Sequence, residues 1–162
     1  MTPWRSRPPE IARLLNPAFC ALVLRAAVRG YCEEREDGLP YAIAFLVLPL
    51  ALHQRSRQAL PKTVATRLAF WVAEEQQLRI GLADRARALV PYTKEALIYA
   101  LRDPLIVFNG GRLQPAKRRL KDIPWPDSSE PSKCVDAARL IGRLFARAGE
   151  AGTVLTTFGV SV

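Results

Sequence analysis

The stretch that most constrains the fold begins at Asn16-Pro17. Asn accepts backbone N–H bonds as a helix N-cap, and proline at the first helical position loses nothing by lacking its own N–H. Phe19, Leu22, Val23, Ala26 and Ala27 then recur at i, i+3, i+4, i+7 and i+8, which predicts one apolar helical face. Leu24, Val28 and Tyr31 widen that face, so this helix is expected to lie at the centre of the molecule. Gly38 and Pro40 in "EEREDGLP" end the pattern. A chain with such a helix near its start must supply other helices to cover it.

The residues before it are unusual. Glu10 to Leu15 reads as a short helix that runs directly into Asn16-Pro17. A helix this short is not stable alone and must pack on something. The expected arrangement of this hook, Arg7 to Leu15, has Leu14 and Leu15 inward and Arg7, Glu10 and Arg13 outward. All five are candidate partner-binding residues.

Leu39 to Leu52 carries no charge, is shorter than the roughly 20 residues a membrane helix needs, and contains Pro40 and Pro49. A buried core segment, helical up to a kink at Pro49, is expected. "HQRSRQALPKT" is polar with one helical turn. Thr66 to Gln77 is read as an amphipathic helix with Leu68, Trp71 and Val72 inward.

From Gly81 to Pro115 the order of elements is legible. Leu82, Ala86 and Leu89 predict a short helix ended by Pro91, and Thr93 caps another carrying Ala96, Leu97, Ala100 and Leu101. "LIVF" is a β-run, "NGG" a tight turn and "RLQP" a return strand. Helix, turn, helix and hairpin is the order of a winged helix-turn-helix. Lys133 to Ala148 is the last long helix, with Val135, Leu140, Ile141, Leu144 and Phe145 on its face; the tail reads equally as helix or strand. The expected fold class is therefore mainly α: a helical domain containing a winged helix-turn-helix-like unit with one β-hairpin. Residues 1–78, 79–121 and 122–162 are its successive regions, expected to form one compact domain.

Chemistry-bearing patterns are sparse. The single histidine, His53, sits beside a charged turn and is read as structural. No nucleophile–base set, phosphate-binding glycine loop or metal-ligand spacing is recognisable. Cys20, Cys32 and Cys134 are widely spaced and read as reduced, mostly buried thiols. Glu33, Glu34, Glu36 and Asp37 surround Arg35 and are read as a solvated helix end. "MTPWRSRPPE" has no apolar core of a signal peptide, so the cytoplasm is the expected compartment. Neither catalysis nor a cofactor is expected.

The net charge is +9, which favours polyanionic or acidic partners. Most of it lies between Arg79 and Lys121, where ten cations face three anions. "RLQPAKRRLK" is the densest part. Arg112, Lys117, Arg118, Arg119 and Lys121 are candidate phosphate contacts, in a wing where base readout is not expected. The competing reading of this patch is a contact for an acidic protein.

"RPPEIARLLNPAFCALVLRAAVRGY", "LPYAIAFLVLPLALHQRSRQALP", "RARALVPYTKEALIYAL" and the closing "IGRLFARAG…GV" together resemble the middle component of three-component ABC-ATPase systems. The small subunit of Lamassu-type anti-phage defence is one such protein. The resemblance implies an adaptor that accompanies an SMC/Rad50-like ABC ATPase and an effector, often a nuclease, and that holds the effector until DNA is sensed. It implies no catalytic motif and no cofactor. Two other classes remain open at this point: a free-standing winged-helix regulator, and an antitoxin-like inhibitor of a partner enzyme. Gene neighbourhood discriminates among the three.

Overall fold

The computed structural model describes residues 7–117 and 125–160. Helix α1 is Pro9–Leu14 and α2 is Pro17–Glu34. Asn16 Oδ1 accepts from the N–H groups of Ala18 (2.9 Å) and Phe19 (3.3 Å), and Pro17 takes the first helical position. Cys20, Ala21, Val23, Leu24, Ala27, Val28, Gly30 and Tyr31 are buried. The helix is central as expected, but its deepest strip runs through Leu24, Ala27, Val28 and Tyr31. Phe19, Leu22 and Ala26 are only partly covered.

That shift follows from the helix that crosses it. Helix α8, Glu130–Ala148, packs along α2 with its backbone nearly touching. A Cβ at Gly30 would overlap the carbonyl oxygen of Arg139, and one at Gly142 would overlap that of Ala27. The small residues of α2 therefore face α8, and the larger ones flank the seam. Ser129 Oγ accepts from Ser132 N–H (3.4 Å) and sets the start of α8 three residues earlier than expected.

Leu39–Pro40 forms a two-residue strand, β1, not the start of a helix. The apolar segment continues as α3, Tyr41–Ala44, and α4, Val47–Ala51. Pro49 does not end a helix, because it is the third residue of α4, where the backbone N–H has no intrahelical partner to lose. As expected, the segment is core: every residue from Leu46 to Ala51 is buried. Helix α5, Gln54–Gln58, is the expected polar turn, and α6, Leu68–Glu74, buries Leu68, Trp71 and Val72.

The expected break at Pro91 is absent. Leu82–Arg102 is one helix of 21 residues, α7, with Pro91 inside it. An interior proline costs about 3 kcal/mol through a lost hydrogen bond and a ring clash. Two things offset that cost. Pro91 lies on the exposed side, where water reaches the carbonyl it leaves free. Ala86 before it, and Thr93, Ala96, Leu97 and Ala100 after it, are all buried on one face. The chain thus has the hairpin of the predicted unit, but the turn expected at Pro91 is absent.

The hairpin is Ile106–Asn109 (β2) and Arg112–Pro115 (β3), in register Phe108 with Leu113 and Asn109 with Arg112. Gly110 and Gly111 both have positive φ, 55° and 77°, as a two-residue turn matched to strand twist requires. Strand β1 joins antiparallel to β3, giving the order β1-β3-β2. The last residues resolve the undecided tail as a helix, α9, Ala151–Phe158. One buried cluster takes in residues from Leu15 to Phe158. Pro9–Glu34 has the length and apolarity of a membrane span, but the helix is interrupted at Leu15 and Asn16 and the apolar face of α2 is covered by α7 and α8.

Candidate partner-binding surface

The hook folds back on its own domain through both ends. Arg7 is buried, and its guanidinium grips Glu95 of α7 with two hydrogen bonds, Nη1 to Oε2 at 2.8 Å and Nη2 to Oε1 at 3.1 Å. It also lies 5.2 Å from the centre of the Tyr92 ring. The hydrogen bonds from Arg7 to Glu95 raise the guanidinium's pKa further, so its charge is fixed. At the other end Leu15 enters the core. Between them Glu10 and Arg13 are exposed as expected.

Two orientations differ from expectation. Arg7 points inward, because a charged guanidinium can be buried when a carboxylate meets its planar fork. Leu14 points outward at 56% exposure, joined by Ile11 at 38%. Adjacent residues on a short helix cannot both face the body, and Leu15 holds that place. The outer face of the hook is therefore apolar as well as charged.

The candidate phosphate contacts divide. Arg112 Nη1 donates to the carbonyl of Gly38 (2.9 Å) and pairs with Asp37 (3.0 Å), so it holds the hairpin to the loop after α2. Lys117 is exposed. Arg118, Arg119 and Lys121 lie outside the described residues.

The acidic run at the end of α2 is more than a solvated terminus. Glu33 pairs with Arg139 at 2.8 Å, and Glu34 with Arg143 at 2.7 Å and Arg147 at 3.4 Å. The arginine hydrogen bonds hold the Glu34 carboxyl below the usual carboxylate range. This clamp joins α2 to α8. Its signal was present in sequence: three arginines at four-residue spacing lie on one face of the last helix.

His53 is structural, as expected. Its Nδ1 accepts from Ser56 N–H (3.3 Å) and caps α5. Burial and the nearby arginines lower its pKa, which keeps it neutral for that role. Cys20 and Cys134 are buried free thiols and Cys32 is half-buried; burial pushes Cys20 up to about 12. Among the described residues no three His, Cys, Asp or Glu side chains converge on a metal position. The feature missed in sequence is an exposed aromatic row. Phe108 at the hairpin tip stacks edge-on against Tyr41 (5.6 Å between centroids), and Tyr41 against Phe45 (5.2 Å).

The described residues form a mainly helical body with a small three-stranded sheet and a hook whose outer face carries Ile11 and Leu14. The chain belongs to the family ABC-three component (ABC-3C) system Middle Component 3, whose family model matches residues 4–162. It is thus a middle component of a three-component ABC system, as the resemblance in sequence implied. No curated protein and no solved structure matches it.

Proposed function

We propose that this middle component is a non-catalytic adaptor. It joins an SMC/Rad50-like ABC ATPase, the DNA sensor, to an effector such as a nuclease, in a cytoplasmic anti-phage or anti-plasmid complex of the Lamassu type. The observation that carries this reading is the family match over residues 4–162. The hook supports it: its ends are tied down while Ile11 and Leu14 face solvent. In this arrangement Arg7 and Leu15 position the hook, and Glu10, Arg13 and Leu14 meet the partner.

Lys117, Arg118, Arg119 and Lys121 contact DNA phosphates in the assembled complex, while Arg112 braces the hairpin. A free-standing regulator has less support, since the two helices expected on either side of Pro91 are one helix, α7.

Co-expression of all three components followed by affinity purification tests the adaptor. Leu14→Asp is expected to reduce recovery of the ATPase with this chain's melting temperature unchanged. Leu15→Asp is expected to destabilise the chain itself, because it buries an unpaired charge. Full complex yield with Leu14→Asp contradicts the hook's role. For DNA, Arg118→Glu with Arg119→Glu is expected to leave assembly intact and weaken all sequences alike. The slope of log K against log salt should fall by about 0.9 per lost contact. Loss of assembly instead assigns the basic segment to a protein interface.

A further inference from the structure

Two hollows meet on the surface at Ala83 and Gly159. The first, of 330 Å³, lies between α3, the start of α7 and α9, with Phe45, Val90 and Val160 among its walls. The second, of 600 Å³, continues past Val72 and Ile80. The row Phe108, Tyr41, Phe45 leads from the hairpin tip into the first. Phe108 is 51% exposed and Ile80, at the far end, 68%. Grooves lined by aromatic and aliphatic side chains seat the apolar side chains of partner segments.

Its charges are one-sided. Arg79 and Arg87 are the only charged side chains among the described residues that line either hollow. Gly159 has φ of 68° and ends α9. A Cβ there would stand 3.0 Å from Arg79 Nη2, so the guanidinium lies across the join between the hollows. Arg87 pairs with Asp84, but both side chains are largely exposed, and such a pair exchanges readily for a better one.

We infer that this channel receives an acidic segment of another ABC-3C component, with apolar side chains seated in the hollows and carboxylates on Arg79 and Arg87. The inference rests on the adaptor reading above. A second copy of this chain does not fit by two-fold pairing through the channel, which would set the same arginines against each other. DNA does not fit an apolar floor with two cations.

The test uses the co-expressed complex, with a photo-crosslinking amino acid in place of Phe108 or, separately, Ile80. The expected product joins this chain to a peptide of another component that contains Asp or Glu. Titration of the purified partner then measures affinity. Arg79→Glu with Arg87→Glu should raise Kd at least tenfold while the melting temperature holds, since neither residue is buried. Ala83→Phe, which fills the join without changing charge, should do the same. Crosslinks only to a second copy or to DNA, a crosslinked peptide without carboxylates, or unchanged Kd in both variants would overturn the inference. If the wild-type complex forms and both variants bind normally, the channel falls and the adaptor stands. If the wild-type chain binds no other component, both fall.

Discussion

Arg7 and Glu95 are 88 positions apart in the chain and form a two-pronged ion pair, with the arginine side chain only 3% exposed. The pair ties the first described residue to the middle of α7. Replacing Arg7 with Ala leaves the carboxylate partly covered and unmatched. Hydrogen bonds to charged groups contribute about 1.5–3 kcal/mol, and a loss in that range is expected in urea denaturation. A double-mutant cycle with Glu95→Gln should show coupling between the two changes. Strict additivity would mean that the pair contributes nothing.

Gly142→Ala and Gly30→Ala should each destabilise the protein strongly. The added methyl group meets a backbone carbonyl of the opposing helix, not a flexible side chain, so α2 and α8 must separate. Overpacking costs about 1–3 kcal/mol when neighbours can shift, and the backbone here gives less than a side chain would. Thermal melts of both variants check this; a wild-type melting temperature would show that the seam is loose.

Acid should loosen the same seam. Hydrogen bonds from Arg143, and the charges of Arg143 and Arg147, lower the folded pKa of Glu34. A depressed carboxylate pKa adds stability above the unfolded value, about 4.3, and that stability is lost as pH falls through the folded one. Glu34→Gln should lower stability at pH 7 and flatten its decline below about pH 4.5. Melting temperature against pH for both proteins reads this directly, and parallel curves would count against it.

The thiols should be slow to react. Burial keeps Cys20 protonated, with a pKa near 12, and Cys134 is also buried; only thiolates react readily. Alkylation of the folded protein should reach at most Cys32, and all three cysteines only in denaturant. Rapid native labelling of Cys20, mapped by mass spectrometry, would contradict the packing.

Local chemistry made part of this fold legible. Asn16-Pro17 sets the start of α2 and Asn109-Gly110-Gly111 sets the hairpin, because both act within a few residues. Pro91 misled for the opposite reason: a local breaker was overridden by packing on both sides of it, which no short window contains. The inward turn of Arg7 depends on a carboxylate 88 residues away, and β1, two residues long, has no period to read. The channel was hidden because Tyr41, Val90 and Val160 come from three separate stretches that look like ordinary core.

The pairing of α2 with α8 also has a consequence in time. Arg139 leaves the peptidyl-transferase centre 106 residues after its partner Glu33, on the order of 5–20 s later at ordinary rates of synthesis. For that interval the strip of α2 that α8 covers stays open in the nascent chain, within a segment long enough and greasy enough to be mistaken for a membrane span. Newborn copies should therefore depend on a holdase, and truncation before residue 130 should give a product that is cleared or aggregates rather than a smaller folded subunit.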